Sequence, residues 1–281
     1  MTQKLVRGGQ PVDEFGRRIP IYDAQGFAKM RAAGRLAAQC LDMITPFVVP
    51  GVSTEQLDTL IHSYILDHSA APATLGYRGY PKSCCTSVNE VICHGIPAPD
   101  EILQARDIIN IDVTVILDGW FGDTSRMYVV GGQTFGQRQK LIDTTFDALW
   151  AGIEQVKPGA TLGDIGAAIQ TVANSGRFSI VTEFAGHGVG KQFHEPPTVV
   201  HTGTPGQGVL LQPGMIFTIE PMLNVGKPDS RLGRDGWRAS TRDGKPSAQF
   251  EHTVGVTNTG YDVFTLSPKG LDRPPYTVTG T

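Results

Sequence analysis

Four acidic residues and one histidine of this 281-residue chain stand in contexts that favour metal binding. Asp112 and Glu220 interrupt apolar, strand-like runs, where an unpaired charge is unfavourable. Asp123 and Glu251 lie in two further strand-like segments, and His187 has a glycine on each side, which allows close backbone approach. Each residue alone reads as an ordinary solvated side chain. Together they predict oxygen-rich ligation with one imidazole nitrogen, which suits Mn, Fe, Co or Zn.

A predicted hairpin brings two of these acids together. The Asp118-Gly119 dipeptide lies between two β-branched, apolar runs and is a strong signal for a two-residue turn. Such a turn pairs Thr114 with Asp123 and Asp112 with Ser125, so the two acids share a face as diagonal neighbours about 7–8 Å apart. Carboxylates at this spacing can hold ions between them, and two-metal hydrolytic sites place their ions about 3.5–4 Å apart. The alternative is a pair of solvated acids on an exposed strand.

An internal repeat predicts how a third acid joins them. Pro50-Gly51-Val52-Ser53 matches Pro158-Gly159-Ala160-Thr161, which lies 108 positions further along the chain. The same shift places Asp112 on Glu220. A pseudo-twofold fold would bring these acids to its centre, where carboxylates converge only if a cation or a shared proton offsets their repulsion. The alternative is that a Pro-Gly followed by a helix cap recurs by chance.

The elements that must position these residues follow the same order in both halves. Apolar periodicity and capping-box spacing predict two helices and then strands in each half. The predicted helices cover residues 27–44, 53–65, 137–156 and 161–173, and the predicted strands lie within 108–130, 215–220 and 249–257. Residues 224–247 are rich in Gly, Asp, Arg and Lys and are predicted to form a long surface loop, a feature that is often functional.

These patterns predict an α+β fold in which two halves share one curved antiparallel sheet, with helices packed on one face. We expect a single catalytic domain over residues 24–266, because neither half holds a complete set of polar site residues. Its halves would be residues 24–133 and 134–266. Residues 1–23 would form an N-terminal extension, and residues 267–281 a surface tail without periodicity.

Composition excludes several functional classes. The formal net charge of −3 does not indicate a nucleic-acid partner, and no apolar run approaches the roughly 18 residues that would span a membrane. The first twenty residues are polar and do not resemble a signal peptide. Cys84, Cys85 and Cys93 crowd into ten residues, which is a poor disulfide framework and favours a reducing cytoplasm. The sequence contains no C-x-x-C pair, so a structural zinc site is not expected. Structural roles are expected for Cys40, Cys84 and Cys93.

Seven motifs, in order, resemble those of the type I methionine aminopeptidases, which belong to the pita-bread metallopeptidase family. They are Cys93-His94-Gly95-Ile96-Pro97, Asn110-Ile111-Asp112-Val113-Thr114, Gly122-Asp123-Thr124-Ser125, Gly186-His187-Gly188-Val189-Gly190, Phe193-His194-Glu195-Pro196, Thr218-Ile219-Glu220-Pro221-Met222 and Phe250-Glu251-His252-Thr253. The similarity runs from about residue 24 to about residue 266. It implies the pita-bread fold, whose pseudo-twofold agrees with the repeat. The second half has no long helical insert, which favours type I over type II.

The resemblance also implies a role for each site residue. Two divalent ions, Co, Mn, Fe or Zn, would be held by Asp112, Asp123, His187, Glu220 and Glu251, with Asp123 and Glu251 bridging. The two histidines that contact substrate without binding metal would be His94 and His194. The pocket for the methionine side chain would be lined by Tyr77, Tyr80, Cys85, Phe193 and Trp237. The family often has Cys where this chain has Thr74, a departure that bears on fine specificity.

The implied reaction removes the initiator methionine from new proteins with a small second residue. Glu220 would take a proton from the attacking water and pass it to the leaving amine. His194 would donate toward the scissile carbonyl oxygen, and His94 would contact the nitrogen beyond the scissile bond. We further expect a cytoplasmic monomer that acts on nascent polypeptides and associates with the ribosome. The alternatives are a prolidase-like peptidase and a metal-free pita-bread protein that only binds peptides.

Overall fold

The computed structural model describes residues 10–276, which form four α-helices and fifteen β-strands. The helices are α1 (Ala24–Ile44), α2 (Thr54–Asp67), α3 (Gly136–Ile153) and α4 (Leu162–Gly176), with 3₁₀ turns at Thr45–Phe47 and Tyr77–Gly79. The strands of the first half are β1 (Ala71–Pro72), β2 (Cys85–Val88), β3 (Val91–Cys93), β4 (Ile108–Leu117) and β5 (Trp120–Val129). The second half contains β6 (Ser179–Ile180), β7 (Gly186–Gly188), β8 (Glu195–Val199), β9 (Ile216–Ile219), β10 (Met222–Asn224), β11 (Ser230–Leu232), β12 (Ala239–Thr241), β13 (Ser247–Gln249), β14 (His252–Val256) and β15 (Tyr261–Val263).

Each half opens with two helices, as predicted, and side-chain caps explain where three of them begin. Asp23 Oδ1 accepts a hydrogen bond from Gly26 N at 2.9 Å at the start of α1. Ser53 and Thr161 each form a capping box, which starts α2 and α4 respectively. Within residues 10–276, no helix is both long and apolar enough to cross a membrane.

The two halves repeat the same contacts at the predicted shift of 108 residues. The antiparallel bridge between Ser53 and Ile102 recurs between Thr161 and Leu210. The same shift relates a pair of backbone hydrogen bonds, from Gly51 N to Leu103 O at 2.9 Å and from Gly159 N to Leu211 O at 3.1 Å. Chance recurrence of a Pro-Gly dipeptide does not produce matching long-range bonds, so the repeat is structural.

The β4–β5 hairpin has the predicted register. Asp118 and Gly119 both have positive φ, 51° and 77°, as a type I′ turn requires. The pairs Asp112–Ser125 and Thr114–Asp123 face each other across the two strands. The local turn therefore sets the relative position of the two acids.

The second half contains the counterpart of this hairpin, interrupted at its middle. β9 pairs with β14 and β10 pairs with β13 in one continuous register, through Ile219–His252 and Met222–Gln249. Glu220 and its neighbour Pro221 fall in the gap between β9 and β10. At this interruption Glu220, which the repeat places opposite Asp112, donates its backbone N–H to His201 Nε2 at 3.1 Å.

The prediction of a surface loop over residues 224–247 is wrong in part. The connection of residues 225–246 reaches across to the first half, where Ala239 in β12 pairs with Cys93 in β3. Ala239–Thr241 is buried, and Thr241 N donates to Glu90 O at 2.9 Å. Polar composition concealed this strand, although the hydroxyl of Thr241 donates to Lys245 O at 2.8 Å.

The two half-sheets meet at the centre of the molecule. The first contains β1-β4-β2 with β5 also on β4, and the second has the order β15-β14-β9-β7-β8, all antiparallel. An isolated bridge joins Ser125 to Glu251, with Glu251 N donating to Ser125 O at 3.1 Å. One buried cluster contains Ile108 and Met127 of the first half together with apolar residues of α3 and α4. The halves therefore share a core.

Both ends of the described chain pack against this body. Ile19 is only 1% exposed and belongs to the shared core. Residues 267–276 lie mostly at the surface, and hydrogen bonds tie them to the body, since Ser267 Oγ donates to Asp42 Oδ1 at 2.7 Å and Tyr276 OH donates to Met127 O at 2.7 Å. The remainder of the predicted extension and tail, residues 1–9 and 277–281, lies outside the described residues.

Candidate metal centre and substrate cavity

A cavity of about 440 Å³ contains in its lining all twelve site residues predicted from the sequence. They come from both halves and from the connection of residues 225–246. The predicted metal ligands are Asp112, Asp123, His187, Glu220 and Glu251. The predicted substrate contacts are Tyr77, Tyr80, Cys85, His94, Phe193, His194 and Trp237. The fold thus collects residues that are up to 174 positions apart in the sequence (Tyr77 and Glu251).

The predicted ligands converge in one corner of this cavity. Ligand atoms of Asp123, His187 and Glu251 all lie within 4.8 Å of one another. His187 Nε2 lies 3.6 Å from Asp123 Oδ2 and 3.8 Å from Glu220 Oε1. Asp112 lies on the same face of the hairpin as Asp123, as the register predicted. These spacings leave room for cations between the side chains.

Neighbouring side chains orient the carboxylates. Thr114 Oγ1 donates to Asp123 Oδ1 at 2.7 Å from its paired position on β4. Glu220 accepts from Thr218 Oγ1 at 2.9 Å and from Gln249 Nε2 at 3.1 Å. Hydrogen bonds of this kind fix ligand orientation around metal ions.

The electrostatics of the cluster favour either retained protons or a bound cation. Burial raises the pKa of Asp112, Glu220 and Glu251 well above their ordinary values, and the nearby Asp123 raises the pKa of Glu220 and Glu251 further. Burial also raises the pKa of Asp123 to about 7. Within residues 10–276, none of the four carboxylates forms an ion pair with a lysine or arginine.

An unsatisfied atom shows that the residues present fit a metal ion. Asp112 Oδ1 is buried and has no hydrogen-bond partner within residues 10–276. A buried acceptor without a partner is costly, and a cation in this corner would satisfy it. The donor set of four carboxylates and one imidazole matches the preference of divalent transition metals.

The backbone around His187 sets which of its nitrogens faces the cluster. His187 Nδ1 lies 3.0 Å from Gly188 O, and a carbonyl only accepts, so Nδ1 donates and Nε2 carries the lone pair. Burial lowers the pKa of His187 to about 4, which keeps the ring neutral. The flanking glycines are required by close approach, since a Cβ at Gly186 would lie 2.4 Å from Thr218 O and one at Gly188 would lie 2.2 Å from Pro196 O.

Aromatic rings form another part of the cavity wall. Tyr77 packs on Phe193 with ring centroids 4.8 Å apart, and Tyr80 meets Trp237 edge-on at 5.1 Å. Tyr80 is buried and its hydroxyl donates to the backbone oxygens of Cys84 and Gly95, which turns its apolar ring toward the cavity. An apolar, aromatic and partly sulfur-lined space suits an unbranched thioether side chain.

Two further histidines border the cavity. The backbone of His94 has a φ of 56°, and the following Gly95 is required because a Cβ there would lie 1.9 Å from Thr86 O. His194 Nδ1 lies 3.0 Å from Tyr77 OH, and its ring centroid lies 4.1 Å from that of His187. Burial and the nearby His187 lower the pKa of His194 to about 3, so its ring is neutral near pH 7.

A buried carboxylate anchors the segment that carries Phe193 and His194. Glu195 Oε1 accepts from Lys191 N at 3.1 Å and Gln192 N at 2.9 Å, and both of its oxygens accept from Tyr22 OH. Tyr22 belongs to the predicted N-terminal extension, so that extension contributes to the architecture of the cavity.

Sequence reasoning missed several residues that line the cavity. They are Arg17, Arg78, Glu183, Phe184, Ala185, Gly186, Cys93, Glu195, Thr198 and Met222, together with Thr74, which the sequence placed only near the edge. Cys93 was expected to be structural, yet it lies in the wall. Available signals were the place of Met222 inside a recognised motif, of Phe184 close to one, and of Arg78 beside the predicted pocket residue Tyr77. No sequence signal could have found Arg17, because its place depends on how residues 10–23 fold back.

Comparison with known proteins agrees with this geometry. The sequence pattern of metallopeptidase family M24 matches residues 28–258 of the chain. The methionine aminopeptidase of Rickettsia prowazekii is 54% identical over 259 residues, which are 92% of this chain and 99% of that protein.

Solved structures have the same fold. The crystal structure of the Rickettsia prowazekii methionine aminopeptidase has a TM-score of 0.87 and 53% identity, and the match covers 88% of this chain and 100% of that one. The methionine aminopeptidase of Thermotoga maritima has a TM-score of 0.86 at 36% identity, with 88% and 99% covered. The prolidase of Pyrococcus furiosus is only 18% identical and shares the fold alone, with a TM-score of 0.68 over 87% of this chain and 65% of that one.

These comparisons confirm the resemblance stated from the motifs and the α+β pita-bread fold that it implies. They also indicate that the chain is an enzyme that depends on divalent metal ions, and the identity of the metal is left open. The match to the family pattern spans well over half of the residues, and the chain belongs to metallopeptidase family M24.

Proposed function

We propose that this chain is a methionine aminopeptidase, which hydrolyses the peptide bond after an N-terminal methionine. The observation that carries the proposal is the placement of four carboxylates and one imidazole against an aromatic wall in a cavity of about 440 Å³. The high identity to a protein named methionine aminopeptidase over nearly its whole length supports the same activity.

Two divalent ions would be held by Asp112, Asp123, His187, Glu220 and Glu251. When bound, these ions would lower the pKa of a water and polarise the scissile carbonyl. Metal binding would displace the protons that burial retains on the carboxyl groups.

Glu220 is the proposed base. Its side chain is oriented by Thr218 and Gln249, which leaves the carboxylate fixed at the edge of the cluster. From there it would take a proton from the attacking water and deliver it to the amine that leaves.

His194 is the proposed donor to the carbonyl oxygen on which negative charge develops. Donation from Tyr77 OH to Nδ1, 3.0 Å away, would leave the proton of the neutral ring on Nε2. A neutral imidazole N–H is a competent donor in such a site. His94, whose backbone has a φ of 56°, would contact the nitrogen beyond the scissile bond.

Tyr77, Tyr80, Cys85, Phe193 and Trp237 would surround the methionine side chain. An unbranched side chain suits this space, whereas a β-branched residue is widest near its Cα, beside the histidines. The second residue of the substrate would have to be small to pass between Tyr77 and the His94 segment.

The cellular setting is part of the proposal. All four cysteines are free, buried thiols, which supports a reducing cytoplasm. The substrates would be new polypeptides that still carry their initiator methionine, met near the ribosome by a monomeric enzyme. Residues 24–266 would act as one catalytic domain, because the halves share a core and each supplies ligands.

A peptide series tests the activity. We expect Met-Ala-Ser to be cleaved, norleucine in place of methionine to be accepted less well, and Val-Ala-Ser and Ile-Ala-Ser to be rejected. Among Met-X-Ser peptides, Ala and Gly at X should give the highest kcat/KM. Preference for proline at X would replace this proposal with a prolidase-like activity, and no cleavage of any peptide with any divalent metal would indicate a peptide-binding protein.

A further inference from the structure

Arg17 stands in the cavity lining although it lies outside the region that the family pattern matches. The pattern begins at residue 28, and residues 10–23 fold back so that Arg17 joins the rim. Its side chain is 50% exposed, so the guanidinium faces the solvent-accessible side of the cavity rather than the core.

Unlike a mobile surface arginine, Arg17 is held in one orientation. Asp13, whose side chain is fully buried, accepts from Arg17 N at 2.8 Å and from Arg17 Nε at 2.6 Å. Asp13 also accepts from Phe15 N at 3.0 Å, and the Phe15 ring lies 5.3 Å from the guanidinium carbon. Preorganisation of this kind lowers the entropy lost when a ligand binds.

The other end of the guanidinium contacts β8, the strand that pairs with the strand of His187. Arg17 Nη2 donates to Thr198 Oγ1 at 3.1 Å. Thr198 on β8 pairs directly with His187 on β7, so the two side chains share a face of the sheet. Arg17 therefore contacts Thr198 on β8, the edge strand of the sheet. The cross-strand neighbour of Thr198 is the predicted metal ligand His187.

Arg17 Nη1 has no hydrogen-bond partner within residues 10–276. Because a guanidinium only donates, it can bind only an acceptor such as a carbonyl or carboxylate oxygen.

We propose that Arg17 is a specificity residue that binds an oxygen of the substrate polypeptide beyond its second residue. This inference rests on the proposed aminopeptidase function, which places the first residue of the substrate among the aromatic rings and directs the rest of the chain out past the rim. The oxygen belongs either to the peptide backbone or to an acidic side chain at the third or fourth position. The predicted N-terminal extension thereby gains a role in substrate binding.

The test compares long and short substrates of the same enzyme. Methionine p-nitroanilide has no residue beyond the leaving group, whereas Met-Ala-Ser-Gln-Ser continues past the rim. In Arg17→Ala, the ratio of kcat/KM for the pentapeptide to that for the anilide should fall about tenfold, through KM, as expected for loss of one hydrogen bond to a charged group. Arg17→Lys should recover part of this loss, and an unchanged ratio in Arg17→Ala would overturn the proposal.

Matched variants separate this role from simple support of the fold. Arg18→Ala removes the same charge from the next residue, which is exposed and does not line the cavity, and it should leave the ratio unchanged. An equal fall in Arg18→Ala would show a general charge effect and contradict the proposal. A fall in Tm that accompanies the KM change in Arg17→Ala, and that Thr198→Val reproduces, would indicate only structural support and would also contradict it.

A second pair of substrates identifies the oxygen. If the acceptor is the backbone, the kcat/KM values for Met-Ala-Ser-Glu-Ser and Met-Ala-Ser-Gln-Ser should fall equally in Arg17→Ala. If the acceptor is a carboxylate, kcat/KM for the glutamate peptide should fall more. Both results support the proposal. If the wild-type enzyme cleaves neither the anilide nor the peptides, the proposed function itself has failed, which is a different outcome from an unchanged ratio.

Discussion

The hairpins of the two halves share one pairing scheme and differ in how they close. In the first half, Asp118-Gly119 turns β4 directly into β5. In the second half, the matching ladder of β9 and β10 with β14 and β13 ends in the connection of residues 225–246, which crosses to β3 and carries Trp237 into the cavity. The predicted ligands Asp112 and Glu220 occupy equivalent places in both. Two of the predicted ligands therefore belong to the repeated part, whereas Trp237 of the aromatic wall belongs to a part without a counterpart.

The helices that cover these hairpins differ in the same way. In the first half, Arg126 Nη1 donates to Asp42 Oδ1 at 2.6 Å, and both side chains are buried. The corresponding places in the second half hold His252 and Trp150, whose rings meet edge-on at 5.9 Å. One helix is thus fixed to its hairpin by a buried ion pair and the other by an aromatic contact.

Replacing Asp112 with Asn should have the largest effect, because it removes one of the two symmetry-related acids. Loss of even an indirect partner of a metal ligand costs about 10–100-fold, so loss of the ligand itself should lower activity by more than about 10²-fold. Metal affinity should fall with it, as measured by titration into the stripped protein.

The matched control is Asp118→Asn, which changes an exposed acid in the turn of the same hairpin. It should retain activity and metal affinity. Wild-type activity of Asp112→Asn at limiting metal would show that the two acids are not equivalent.

Replacing His194 with Ala should lower kcat by about 10²–10³-fold while the metal content stays constant, because this residue is proposed to donate to the transition state without binding metal. Metal analysis and steady-state kinetics on the same sample measure both quantities. His68→Ala, an exposed histidine on the surface, serves as the control. A variant that has lost a metal ion would mean that His194 is a ligand.

Replacing Trp237 with Ala tests the connection of residues 225–246. Loss of the edge-on contact with Tyr80 should raise KM for methionine peptides by about 3- to 10-fold and reduce discrimination between methionine and leucine. Metal affinity should not change. Phe135→Ala removes an exposed aromatic residue outside the cavity and should leave KM unaltered. A loss of metal in Trp237→Ala would contradict the separation between wall and metal centre.

Replacing Asp42 with Ala should affect activity least and stability most. It leaves the buried Arg126 without its partner, which typically costs about 3–5 kcal/mol in the free energy of unfolding. In the second half, Trp150→Phe should cost less, about 1 kcal/mol beyond the change in buried area. Chemical denaturation followed by circular dichroism measures both. An equal loss in the free energy of unfolding in both variants would mean that the two contacts stabilise their halves to the same extent.

Local signals made the relative placement of three predicted ligands foreseeable from the sequence. The Asp118-Gly119 turn fixes the β4–β5 register, and period-two pairing then places Asp112 and Asp123 on one face. The Pro-Gly repeat extends the same logic to Glu220. The roles of the histidines and of the aromatic wall came from the resemblance, since no local rule brings Tyr80 to Trp237.

Long-range packing explains what the sequence could not predict. β12 has a polar composition that is typical of a loop, and only its partners in β3 make it a buried strand. Tyr276 and Ser267 looked like a tail because proline and polar residues hide their contacts with the helix and strand beneath. Arg17 reaches the cavity through a turn held by Asp13, a contact that spacing alone does not reveal.

Metal titration coupled to activity tests the central claim most directly. The purified protein is stripped with chelator, its residual metal is measured, and divalent ions are restored stepwise while cleavage of Met-Ala-Ser is followed. We predict no activity in the stripped protein and recovery that saturates at no more than two ions per chain, with Asp118→Asn behaving as wild type and Asp112→Asn failing to recover. Full activity of the stripped protein, or recovery in Asp112→Asn equal to that of wild type, would contradict a carboxylate metal centre formed by the two halves.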